Sequence, residues 1–290
     1  MDRTDEKELI RKHFYETDQN YEIKKWSNNP WCVIFISSAG LDLTTKVFYE
    51  WETLSKRKEI RSKFGKCIFL RDPFSSFYAE GINKNINCID SIVAFLQSET
   101  AGYRVVISGY SAGAYLALIL GSCMKNVVRV LAFSAVVYLY EWKEENGISC
   151  IKNNVHLFSH LNEENYSKYF NIRDRVNDIS CRTLYFYPSS SDLDIIQKEI
   201  IVGQCNNFIT CIGILSNKHS LTVKHINHIQ LLCSDDKHID KIRNKFHMVQ
   251  NLKPLKFTLF NLGIVLYIKE QVLRSCRVTK RFFVHLFKKF

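Results

Sequence analysis

The stretch VVISGYSAGAYLALILG, Val105 to Gly121, constrains this chain more than any other. A β-branched run reaches Gly109-Tyr110-Ser111-Ala112-Gly113, and an apolar helix-forming run follows at once. A strand that turns directly into a helix crowds the residues on either side of the turn. Small residues at −2 and +2 relieve that crowding and leave the central side chain projecting from the backbone. A helix that starts there aims its N-terminal N–H groups and the positive end of its dipole at the serine oxygen. The N–H of Ala112 then stands where it can bind a developing oxyanion. With 11 glycines in 290 residues, a chance G-x-S-x-G arises on the order of a few per cent of the time. The strand before it and the helix after it lower that further.

The rest of the chain supplies a matching frame. Short β-branched or aromatic runs at 31–37, 66–72, 103–108, 127–134, 181–188 and 207–215 read as strands. Helical patterns lie between them, at 43–62, 82–99 and 111–124 among others. Continuous apolar strands alternating with helices predict an α/β fold with a mostly parallel sheet covered on both faces. YEIKKW at 21–26 suits an extra antiparallel edge strand. Residues 136–178 break the rhythm and are rich in Tyr, Asn, Glu and His. A long insertion between core strands is more often functional than idle, and a cap over the strand ends is expected. The expected organisation is a domain over 1–250, with the cap at about 136–178, and a basic aromatic-rich extension over 251–290.

At the G-x-S-x-G motif the chain resembles the α/β-hydrolase superfamily, a three-layer sandwich. Its order is nucleophile on the elbow, acid after a later strand and histidine after the last strand. The acid should follow the strand TLYFY, where the sequence is PSSSDLD. Asp192 stands just past the strand end and is the first choice. Asp194 is the alternative, and either could instead cap the following helix. The histidine should follow FITCIGIL, and His219 lies in the loop just beyond it. His225 and His228 fall inside the next helical pattern and are expected to be surface or packing residues. His219 would take the proton of Ser111, and Asp192 would hold the imidazole in the required tautomer. The second oxyanion donor should come from ISSAGLD, residues 36–42, as the backbone N–H of Ser38 or Ala39. Many esterases carry His-Gly where this chain has Ser37-Ser38, which leaves the donor open between Ser38 and Ala39. Arg71-Asp72-Pro73 ends another strand at the same edge. It could bind an anion or close a loop internally.

Charge and cysteines narrow the setting. The net charge is +11, which calls for an anionic partner or surface. Between Lys253 and Phe290 nine Lys or Arg face one acid, Glu270, so this segment holds +8 of that total. Phenylalanines interleave with the cations, as in a helix lying on an anionic membrane. The ten cysteines form no CxxC pair, so reduced thiols of a cytoplasmic protein are expected rather than a disulfide framework or a metal site. MDRTDEKELIRKHF lacks the apolar region of a signal peptide. The apolar run Leu262 to Ile268 is too short to span a bilayer. No phosphate-binding or dinucleotide glycine motif is present, and nothing beyond charge suggests nucleic acid.

Within the superfamily, IFLRDPFSSFYAEGI, GYSAGAYLALILG and LAFSA resemble bacterial capsular polysaccharide O-acetyltransferases of the meningococcal group A type, over roughly residues 30–235. That resemblance implies transfer of acetyl from acetyl-CoA, a co-substrate rather than a bound cofactor, to a hydroxyl of an anionic surface polysaccharide. It implies an acetyl-Ser111 intermediate, with Asp192 and His219 as the other members of the triad. It also gives the basic tail a use, as attachment to the inner-membrane surface or to capsule-assembly proteins. A carboxylesterase or polysaccharide deacetylase would use the same triad. A non-catalytic assembly protein would keep the elbow only as scaffold.

Overall fold

The computed structural model describes residues 20–38, 49–137, 168–169, 172–203, 207–214, 216 and 228–251, together with His13 and Glu16. Seven strands form one sheet in the order β1-β3-β2-β4-β5-β6-β7. They are β1 (Tyr21–Lys25), β2 (Trp31–Ile36), β3 (Lys66–Leu70), β4 (Arg104–Tyr110), β5 (Val127–Phe133), β6 (Arg182–Pro188) and β7 (Ile209–Ile214). All neighbours pair in parallel except β1, which runs antiparallel to β3 at the edge. The six expected core strands and the edge strand are all present.

Two apolar layers cover the sheet. One face carries α3 (Ile89–Glu99) and α4 (Ala112–Cys123), with Ile34, Ile36, Val105 and Ile107 of the strands packed beneath them. All ten residues from Ala112 to Gly121 are buried in α4, which explains why this helix is apolar on every side. The 3-10 turn Ile172–Asp178 and α5 (Asp192–Val202) join that layer through Ile172, Val176 and Ile201. The opposite face carries α2 (Lys58–Lys63), α6 (His228–Cys233) and α7 (Asp236–Asn251) over Val33, Phe35, Val106 and Leu131.

Three boundaries differ from the sequence expectation. Over 49–62 there are two short helices, α1 (Glu52–Ser55) and α2, where one helix over 43–62 was expected. Residues 43–48 lie outside the described residues. The helix expected over 82–99 begins only at Ile89, because Cys88 caps it: the Ser91 N–H donates to Cys88 Sγ and the Cys88 N–H to Ser91 Oγ. Asp192, expected in a loop, is the first residue of α5, and Ser191 is its N-cap. Most of the expected cap (138–167 and 170–171) and the tail beyond Asn251 lie outside the described residues.

Candidate active site

The elbow occupies the C-terminal edge of the sheet, between β4 and α4. Ser111 has φ 52° and ψ −116°, a backbone conformation that costs an L residue about 1–3 kcal/mol. Its N–H donates to the Phe133 carbonyl at the end of β5 at 2.9 Å, and its own carbonyl accepts the Tyr115 N–H at 3.0 Å. These bonds fasten the turn to the neighbouring strand and to the first turn of the helix. The flanking glycines are required by contact. A Cβ on Gly109 would lie 2.2 Å from the Gly113 carbonyl oxygen, and one on Gly113 would lie 2.4 Å from the Ile36 carbonyl oxygen. Ala112 is the first residue of α4, so its N–H has no carbonyl partner within the helix.

Ser38 stands beside the elbow. Ile36 is in register with Gly109, and a Cβ on Gly113 would lie 2.6 Å from the Ser37 carbonyl oxygen, so the chain leaving β2 passes against the first turn of α4. The Ser38 N–H donates to Glu50 Oε2 at 2.8 Å, and the Ser38 hydroxyl donates to Glu50 Oε1 at 3.3 Å. Desolvation raises the Glu50 pKa above the usual glutamate value, and the two hydrogen bonds from Ser38 partly oppose that rise. Ala39, the alternative donor, lies outside the described residues.

The two acids after β6 have different settings. Asp192 is exposed, whereas Asp194 is buried at 1% exposure. The Ser191 hydroxyl donates to Asp194 Oδ2 at 2.6 Å. Tyr110, next to Ser111, has its phenol pKa raised by burial and by the charges of Glu50 and Asp194. Asp194 and Glu50 therefore both act electrostatically on the residue beside the serine. His219 and His225 lie outside the described residues. His228 is a packing residue, as expected: it is buried, and its ring meets Trp51 and Phe133 edge-on. Its Nε2 is 2.8 Å from Ser108 Oγ, on the face of β4 away from α4.

Asp72 closes a loop internally. Its carboxylate accepts the N–H groups of Phe74 and Tyr78 at 3.0 and 2.9 Å, and burial raises its pKa to about 6. The loop holds Ser75, Phe77 and Tyr78 at positive φ and sends the Tyr78 hydroxyl back to the Ser37 carbonyl at 2.8 Å. Arg71 is buried, with Nε donating to Asn20 Oδ1 at 2.9 Å. Tyr78 and Glu50 are the residues that sequence reasoning missed. Only a long-range contact reveals either one, so no local spacing could have marked them.

Among the described residues no cluster could hold a metal ion, and the seven described cysteines are free thiols. Burial raises the thiol pKa of Cys32, Cys67, Cys181 and Cys211, which makes them inert packing groups. No helix among the described residues is long and apolar enough to cross a membrane.

No protein-family model matches the sequence, and no curated protein is close enough in sequence to be a recognisable relative. Solved structures do match. The Paleococcus ferrophilus monoacylglycerol lipase superposes with a TM-score of 0.51 at 9% identity, over 73% of this chain and 98% of the lipase. An inhibited esterase B from Lactobacillus rhamnosis gives 0.49 at 11% identity, over 86% and 96%. A 2,6-dihydroxy-pseudo-oxynicotine hydrolase gives 0.49 at 14% identity, over 78% of this chain, which spans 63% of that enzyme's length. With the sheet order and the elbow, the likeness establishes the α/β-hydrolase fold.

Proposed function

We propose that this protein is a serine-dependent acyltransferase that moves acetyl from acetyl-CoA to a hydroxyl of an anionic bacterial surface polysaccharide. The observation that carries the acyl-transfer chemistry is the strained Ser111 backbone, held between two glycines that admit no side chain. Strain of this kind persists only where the surroundings over-determine it. In the proposed route the Ser111 oxygen attacks the thioester carbonyl, and His219 accepts the serine proton. The Ala112 and Ser38 N–H groups bind the oxyanion. Collapse breaks the C–S bond, His219 returns the proton to the thiolate, and CoA leaves. A sugar hydroxyl then attacks acetyl-Ser111, giving its proton to His219; the bond to the Ser111 oxygen breaks, His219 returns the proton to that oxygen, and the acetylated sugar leaves.

The acid is Asp192 or Asp194, and burial favours Asp194. A carboxylate shielded from water interacts more strongly with an imidazolium than an exposed one does. The acceptor rests on the resemblance of the elbow and its neighbouring segments to capsular O-acetyltransferases and on the net charge of +11, which would concentrate both CoA and an acidic polymer. With water in place of the sugar, the same residues make an esterase or deacetylase.

The test is release of free thiol from acetyl-CoA, with and without a panel of acidic capsular polysaccharides, with Ser111→Ala as control. Release that needs both polymer and serine supports the transferase. Polymer-independent acetate release supports the esterase. No release under any condition rejects acetyl-CoA transfer to these polymers.

A further inference from the structure

The Ser37–Ser38 peptide is held from three sides. The first turn of α4 presses on it, since a Cβ on Gly113 would lie 2.6 Å from the Ser37 carbonyl oxygen. The Tyr78 hydroxyl donates to that same carbonyl at 2.8 Å, which fixes the peptide plane and with it the direction of the Ser38 N–H. The third hold is Glu50. Its carboxylate takes both the N–H and the hydroxyl of Ser38, one on each oxygen. Ile36, two residues before Ser38, pairs with Gly109, two residues before Ser111, so a carboxylate side chain rests on an amide beside the nucleophile.

We propose that Glu50 is a gate on the oxyanion hole: its carboxylate occupies the Ser38 amide as an internal substitute for the oxyanion, and a reacting acyl group must displace it. This rests on the reading of Ser111 as nucleophile and Ser38 as second donor. A charged carboxylate oxygen accepts a hydrogen bond more strongly than an ester or thioester carbonyl does. In the resting protein the carboxylate therefore outcompetes the carbonyl of a bound substrate. The balance turns only as the tetrahedral intermediate acquires its own negative charge. Displacement must then be driven by binding of remote parts of the substrate. Glu50 is thus a specificity-determining residue. It disfavours small free esters and favours acyl donors with a large recognition portion, the class to which a nucleotide-linked thioester belongs.

The experiment uses the full chain and a fluorophosphonate probe, which phosphorylates an activated serine and places its phosphoryl oxygen where the oxyanion would lie. Wild type, Glu50→Ala, Glu50→Gln and Ser111→Ala are compared by labelling rate, with circular dichroism and thermal melting to check folding. p-Nitrophenyl acetate turnover gives a second reading. The expected result is no labelling of Ser111→Ala and labelling of Glu50→Ala at least tenfold faster than wild type. Glu50→Gln should fall between, because its amide oxygen still accepts from Ser38 but carries no charge. With p-nitrophenyl acetate the gain in kcat/KM should appear mainly as a lower KM. If Glu50→Ala does not fold, Glu50→Gln decides on the same criterion. Serine-dependent labelling that is unchanged or slower in the Glu50 variants overturns the gate and leaves the nucleophile standing. Absence of labelling in wild type and in both Glu50 variants overturns the gate and the nucleophile together.

Discussion

The reactivity proposed for Ser111 depends on two missing side chains. A Cβ on Gly109 or Gly113 would lie only 2.2 or 2.4 Å from a backbone carbonyl oxygen, and backbone cannot rotate away as a side chain can. Gly113→Ala should therefore destabilise the fold by about 1–3 kcal/mol, read by urea unfolding, and should lower activity further by moving α4. Ser111→Ala removes only a hydroxyl from a turn that keeps its backbone bonds. Melting should change little while turnover falls about 10³-fold or more. The two acids separate by the same reasoning. Asp194→Asn should cost about 10³–10⁴-fold in kcat if it orients the base, and Asp192→Asn, at an exposed first helical position, should remain within about threefold. The reverse pattern would return the acid role to Asp192. The serine was legible because its requirements are local. Which aspartate is buried was not, because PSSSDLD offers two of them two residues apart and only the direction in which α5 turns buries one.

Among the elements, α6 shows how the layer on the face opposite α4 is fixed. It has only six residues, too few to be stable without tertiary contacts. At its start His228 pairs with Ser108. At its end Arg129 Nη1 donates to the Leu231 and Ser234 carbonyls at 2.8 and 3.0 Å, and Nη2 to Asp236 Oδ1 at 3.1 Å. Both anchors come from strand positions that alternation alone would assign to apolar side chains. Burial lowers the His228 pKa from 6.5 to about 3. The folded state thus binds this proton more weakly than the unfolded chain does. Stability is full above pH 6.5 and falls as pH drops toward 3, by up to about 1.4 kcal/mol per unit. Asp72 acts in the opposite direction, since its pKa is raised from 3.8 to about 6 and its stabilising protonated form is lost as pH rises through that window. Melting temperature measured from pH 7 to 4.5 should therefore decline less steeply in His228→Gln than in wild type. Equal slopes would mean that His228 takes up its proton in the folded state. The sequence showed that a helix follows β7, but a histidine in a helical pattern carries no local sign of the strand serine it will meet.

At the scale of the whole molecule, charge is distributed unevenly along the chain. The segment 253–290 carries +8 of the net +11, with phenylalanines between its cations. Removing it should cut binding to anionic phospholipid vesicles sharply while leaving fluorophosphonate labelling of Ser111 near the full-length rate. Vesicle binding should also weaken at high salt, where surface charges are screened within about 3 Å at 1 M. Vesicle co-sedimentation that is unchanged on truncation would assign the tail another role. The sequence by itself determined the elements along the chain: six core strands, an antiparallel edge strand, a strand–serine–helix turn and its two glycines. Each of these is written in residues adjacent along the chain, where periodicity and steric demand act locally. Tertiary structure alone decided the partners of the Ser37–Ser38 segment and the burial of the two acids. It carried Glu50 across to the Ser38 amide, sent the Tyr78 hydroxyl to the Ser37 carbonyl and buried Asp194 in preference to Asp192. Such pairings depend on where a distant loop comes to rest once the sheet has closed, and a side chain carries no local mark of a partner brought to it by folding.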